Sequence, residues 1–136
     1  MFKSLSHISL STLNLEKVVK FYVETLGLKI VHKFKEKNKN PYGLFIYAGN
    51  GTFLEFFKSK KIKRKRNSKN SFRHLCFSVK NIKKISIKLK KFDKYIKIRR
   101  GRTDNVLQFM TKDFENNIVE FHQYDKKSVI YKYISK

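Results

Sequence analysis

The chain has 136 residues, 40% of them hydrophobic and 15% aromatic, which suits one domain with a packed core and argues against a disordered chain. Lys and Arg number 33 against 10 Asp and Glu, a formal net charge of +23, and the single cysteine, Cys76, excludes an intrachain disulfide and fits a reducing compartment. No apolar run nears the length of a membrane span and the opening residues lack a continuous apolar stretch, so a soluble, cytoplasmic protein is expected.

Chain order begins with "SHISLST", residues 6–12, which alternates as a strand does. Asn14 then serves as helix N-cap for "LEKVVKFYVETLG", where Leu15, Val18, Val19, Tyr22 and Leu26 recur at helical spacing and Gly27 stands past the end. Strands are expected at 28–35, 44–49 and 52–58, with a polar turn at 36–43 and a hairpin at Gly49-Asn50-Gly51. The cationic run "KSKKIKRKRNSKN" at 58–70 has no hydrophobic period and reads as a solvated linker. The order then repeats. "FRHLCFSV" at 72–79 is a strand, and Asn81 caps a helix over "IKKISIKLKKFD" with an apolar stripe of Ile82, Ile85 and Leu89. "YIKIRR", "NVLQFMT" and "NIVEFHQ" are three further strands, with a basic hairpin turn at 97–105 and the turn "KDFENN" before the last. The tail after Tyr124 has no assignment.

The chain thus holds two copies of β-α-β-β-β, an α+β arrangement. Each copy has a histidine in its first strand (His7, His74) and a glutamate in its last (Glu55, Glu120), 67 and 65 residues apart. Imidazole and carboxylate together suit a divalent ion of zinc, nickel, cobalt, manganese or iron. Strand phase puts Glu55 on one face with Phe53 and Phe57, where an unpaired charge is costly and a cation removes the cost. Glu120 shares a face with His122, and His74 with Cys76. His122 reads as a partly exposed histidine, Cys76 as a small buried hydrophobe and His32 as a solvated strand residue. There is no Ser-His-Asp order, glycine-rich phosphate loop or Cys-x-x-Cys. The cations are mostly Lys, spread among abundant Ile, Asn and Phe as an AT-rich coding sequence would give, and no nucleic-acid-reading module is present. Nucleic acid is therefore not expected as a partner despite the charge.

These residues resemble the vicinal oxygen chelate superfamily, the glyoxalase/bleomycin resistance/dioxygenase group. The likeness runs from about Leu5 to Gln123. "LSHISLSTLNLEKVVKFYVETLGLKIV" resembles the family opening, "FRHLCFSV" with "NIKKI" the opening of its second module, and "DFENNIVEF" its acidic closing strand. Phe114 and Asn116 depart from the family's Pro and Gly in the turn, and Asn tolerates the left-handed conformation that Gly would adopt there.

The resemblance implies a single domain over 1–125, with module one at 4–58, a basic linker at 59–71, module two at 72–124 and a tail at 125–136. Each module would curl into a half-barrel cup. It implies one divalent ion per site (Ni, Co, Zn or Mn), with His7, Glu55, His74 and Glu120 as ligands, and Glu120 or Glu55 as the catalytic base. Having both glutamates is similar to lactoylglutathione lyase, which isomerises a 2-oxoaldehyde–thiol hemithioacetal through a metal-held enediolate. Ser11 and Ser59 stand where that enzyme's glutathione-contacting Arg and Asn are expected, so the substrate-binding residues stay unassigned. Fosfomycin-resistance-type transferase, ring-cleaving dioxygenase and non-enzymatic drug- or metabolite-binding protein are the other functions the resemblance carries. A small-molecule substrate and a homodimer are expected, with the site formed within one chain or across the dimer.

Overall fold

The structure, a computed structural model, describes residues 3–62 and 71–134. The chain divides into two compact units, Met1–Asn67 and Ser68–Lys136. Residues 63–70 of the expected basic linker lie outside the described residues.

The first unit carries β1 (His7–Thr12), β2 (Lys29–Phe34), β3 (Gly43–Gly49) and β4 (Thr52–Lys58) in the order β1-β4-β3-β2. β1 runs parallel to β4, and the other pairs are antiparallel. Asn14 caps α1 (Leu15–Val18) by accepting from the backbone N–H of Glu16 and Lys17. The helix then widens into a π-helical segment, Val19–Thr25, where Leu26 N–H donates to the Phe21 carbonyl five residues back. The wider turn lets two consecutive rings, Phe21 and Tyr22, both face the sheet and become buried. Tyr22 meets Phe56 at 4.9 Å between ring centroids, and Leu44, Ile46 and Leu54 complete that core. Gly27, at φ +81°, turns the chain out of the helix as a C′ glycine does. Gly49, Asn50 and Gly51 all take positive φ in the β3–β4 hairpin, as expected of those residues.

The second unit repeats the pattern with β5 (Leu75–Ser78), β6 (Arg99–Arg100), β7 (Leu107–Lys112) and β8 (Ile118–Gln123) in the order β5-β8-β7-β6. β5 is parallel to β8. α2 (Ile82–Leu89) is capped by the Asn81 side chain at Lys84 N–H and by the Gln123 side chain at Ile82 N–H, which ties the helix to β8. Its buried positions are Ile82, Ser86 and Leu89, and Ile85 is only half-buried. Beneath it, Phe109 stacks on Phe121 at 4.9 Å.

Three expected boundaries are corrected. The strand at 72–79 is confined to Leu75–Ser78, so His74 precedes it. The helix expected to 93 ends at Leu89, after which the Asp93 side chain accepts from Thr111 of β7. "YIKIRR" forms a strand only at Arg99–Arg100, because only those residues find partners on β7, and Ile96 is buried as a loop residue. The tail, which had no assignment, carries a helical turn α3 (Tyr131–Ile134), and its Asp125 pairs with Arg100 at 2.6 Å. The basic turn between β6 and β7 is as expected, with Asn105 at φ 58°.

Candidate functional site

In each unit the helix covers one face of the sheet, and the expected ligands lie on the other. Along β1 the residues Ile8, Leu10 and Thr12 turn inward while His7, Ser9 and Ser11 are exposed. Along β4, Leu54 and Phe56 are buried, which sends Phe53, Glu55 and Phe57 to the face of His7. Ser9 stands opposite Glu55 in the parallel register, and His7, two residues earlier, reaches the carboxylate diagonally. His7 Nε2 lies 3.9 Å from Glu55 Oε2, with side-chain exposures of 45% and 18%.

The second unit has the same layout. Cys76 stands opposite Glu120, and His74 Nε2 lies 2.9 Å from Glu120 Oε2. Each unit thus brings its own expected imidazole and carboxylate together, His7 with Glu55 and His74 with Glu120. Two donor atoms on one ion, each about 2.0–2.2 Å from it, lie roughly 2.9–4.2 Å apart depending on the angle between them. Both pairs fit that window, and the donor set is one that a first-row divalent ion accepts.

The surroundings of the two glutamates differ. Around Glu55 they are aromatic: Phe45 pairs with it across the β3–β4 ladder, and Phe45 stacks on Phe53 at 4.7 Å. Phe57 meets Phe34 at 5.0 Å on the same face. Among the described residues, His7 is the one side chain found within ion-pair distance of Glu55.

Glu120 is 4% exposed and held in a polar network. His122 Nε2 lies 3.2 Å from its Oε1. The Gln108 amide, oriented to suit its neighbours, donates to the same oxygen at 2.8 Å and accepts from Gly101 N–H at 3.3 Å. His122 Nδ1 is hydrogen-bonded to the Tyr124 hydroxyl 3.0 Å away. Burial first, and then neighbouring charge including that of Glu120, pushes the Tyr124 phenol up. Cys76 keeps open surface. The protein packed around its sulfur, followed by the Glu120 carboxylate, nevertheless pushes the thiol from 9.0 up to about 12.

One reading of a single residue is corrected here. Cys76 is not a buried hydrophobe, since strand phase turns it away from the core and toward Glu120. His122 is partly exposed, as expected, at 15%, and its Nε2 lies 3.2 Å from the Glu120 carboxylate. Gln108 and Tyr124 were not foreseen. Gln108 becomes visible only once the β7–β8 register places it opposite His122. His32 is exposed, as expected. Ser11 is exposed on the His7 face, and the Ser59 hydroxyl donates to the Lys61 carbonyl at 2.9 Å. A groove of about 510 Å³ in the first unit, bordered by Leu13, Asn14, Val19, Lys33 and Lys58, includes none of the candidate ligands.

The family description "Glyoxalase/Bleomycin resistance protein/Dioxygenase superfamily" matches residues 4–121. No curated protein matches the sequence. Among solved structures, the glyoxalase family protein from Enterococcus faecalis is 24% identical with a TM-score of 0.71, covering 89% of this chain and 98% of that one. The fosfomycin resistance protein FosX from Listeria monocytogenes is 18% identical with a TM-score of 0.67, covering 93% and 98%. TnmS3, an antibiotic binding protein from a Streptomyces strain, is 18% identical with a TM-score of 0.65, covering 91% and 98%. At these identities the likeness is one of fold, and the three differ in what their descriptions say they do. The duplicated β-α-β-β-β units and the match over residues 4–121 agree: the chain belongs to the Glyoxalase/Bleomycin resistance protein/Dioxygenase superfamily.

Proposed function

We propose that the protein is a divalent-metal-dependent enzyme resembling lactoylglutathione lyase, acting on a hemithioacetal of a 2-oxoaldehyde and a thiol. His7, Glu55, His74 and Glu120 are its metal ligands in this reading, and the working protein is a homodimer. The observation that carries it is the repeated pair, an imidazole 3.9 Å and 2.9 Å from a carboxylate at matching places in the two units.

A bound ion of this kind supplies Lewis-acid polarisation of neighbouring substrate oxygens. The chain's own part is proton transfer between adjacent carbons, which asks for a carboxylate in a defined position. Glu120, oriented by His74, His122 and Gln108, meets the demand for position and is the proposed base. Glu55, with fewer polar partners, meets the demand for mobility and is its rival. Ser11 and Ser59 offer hydroxyls where a glutathione carboxylate would want a cation or an amide, so a thiol other than glutathione is the better candidate.

The test is elemental analysis of the purified protein, followed by turnover of 2-oxoaldehyde adducts with a panel of thiols. Retention of about one divalent ion per site is expected. Glu120→Gln should lower kcat by roughly 10²–10⁴ with little change in KM, and Glu55→Gln should do so instead if the roles are exchanged. A metal-loaded protein inert on every adduct sinks the isomerase reading.

One observation favours a second reading. The ring cluster of Phe34, Phe45, Phe53 and Phe57 beside Glu55 is a surface for an apolar ligand. A protein that binds such a ligand, as the description of TnmS3 has it for antibiotics, needs no turnover. Tight ligand binding by metal-free protein, with no reaction, would support this reading over the first.

A further inference from the structure

The proposed ligand set leaves two donors of the second unit unused. Cys76 Sγ, a Glu120 carboxylate oxygen and a His122 ring nitrogen all lie within 4.8 Å of one another, and His74, 2.9 Å from Glu120 Oε2, stands outside that group. In a tetrahedral site with bonds of about 2.0–2.3 Å, neighbouring donors stand on the order of 3.3–3.8 Å apart. His122 Nε2 is 3.2 Å from Glu120 Oε1, close to that spacing. Cys76, Glu120 and His122 project from the same face of the β5–β8 pair, since Cys76 is opposite Glu120 and Ser78 opposite His122.

We propose that Cys76, Glu120 and His122 form a three-donor site of their own, so that the second unit alone can hold a thiophilic divalent ion such as zinc or cobalt. Of the ligands in the functional reading, the inference rests on Glu120 alone.

The duplication supplies an internal comparison. The register places Ser9 where the second unit has Cys76, and Phe57 where it has His122. The first unit therefore keeps one of the three donors, Glu55. Access also fits. Cys76 is exposed while Glu120 and His122 lie deeper, so an ion meets one donor at the rim and two at the floor. On binding, the thiol gives its proton to solvent and the sulfur becomes an anionic ligand, with no change of oxidation state. A thiolate shifts preference toward zinc and cobalt and away from magnesium and manganese, which favour oxygen.

The experiment titrates chelator-stripped full-length protein with cobalt(II) under a non-chelating reductant and reads the sulfur-to-cobalt charge-transfer absorption. Wild type should show the band rising to one equivalent. Cys76→Ser should lose it, and the first unit already tolerates serine at the equivalent position. His122→Asn should weaken cobalt binding about tenfold or more. The double variant His7→Ala/Glu55→Gln should keep both the ion and the band, whatever its activity. Cobalt bound by wild type without the sulfur band overturns the inference and leaves the functional reading standing. No cobalt bound at all overturns both. A band that persists in Cys76→Ser also overturns it, since Cys76 is the chain's single cysteine.

Discussion

Asp113 determines how β8 is presented. Its carboxylate is 7% exposed and accepts from the backbone N–H of Glu115 and of Asn117, each at 2.9 Å, and from the Asn117 side-chain amide at 3.0 Å. These bonds close the turn in which Asn116 takes φ 61°, and the turn sets the β7–β8 register that brings Gln108 and Met110 beside His122 and Glu120. Asp113→Ala removes the acceptor and leaves two backbone donors without it. A hydrogen bond to a charged group contributes roughly 1.5–3 kcal/mol, but the three share one acceptor and do not add. A loss of about 3 kcal/mol is therefore expected. At about 4 °C per kcal/mol for a chain of this length, the melting temperature should fall by roughly 12 °C. Asp113→Asn keeps one acceptor oxygen and should lose about half as much. Thermal scans by circular dichroism, with urea titrations beside them, measure both. An Asp113→Ala midpoint within about 0.5 kcal/mol of wild type would refute the claim that this side chain organises the turn. Cobalt titration of the same variant reads the consequence for the site, since a loosened register spreads the donors.

Phe56→Ala, at a fully buried position packed on Tyr22, should cost about 3–5 kcal/mol in urea unfolding. Arg100 holds the Asp125 carboxyl below its ordinary 3.8, chiefly by their hydrogen bond. A lowered folded-state value means that the stabilisation is complete above the unfolded range and is lost as pH falls through the folded value. Acid unfolding should therefore begin at a higher pH in Arg100→Gln than in wild type, and superimposable acid transitions would refute the role of the pair. Removing bound metal with a chelator should lower the melting temperature, and returning the ion to 100 times its Kd should restore about 2.7 kcal/mol.

The sequence reading succeeded where phase was followed and failed where residue type was put before it. Period-two alternation placed Glu55 between Phe53 and Phe57 and put His122 beside Glu120, because the buried side chains of β4 and β8 leave their neighbours no other face. The same phase put Cys76 on the face of His74, away from the core that Leu75 and Phe77 serve. Cys76 departs from the usual buried habit of cysteine because its place in the strand decides its exposure. Other features were not local enough to read. "YIKIRR" alternates as well as any strand here, but a strand needs a partner, and β7 offers register to Arg99 and Arg100 alone. Gln108 has no signal of its own, since its meeting with Glu120 depends on the turn that Asp113 closes. The glutamates, alike by position in the repeat, are made unlike by the strands beside them, where rings flank Glu55 and hydrogen-bonding groups flank Glu120. Duplication preserved the backbone that aims the two carboxylates, while the side chains opposite them diverged. Any difference in role between Glu55 and Glu120 therefore has to come from those neighbours.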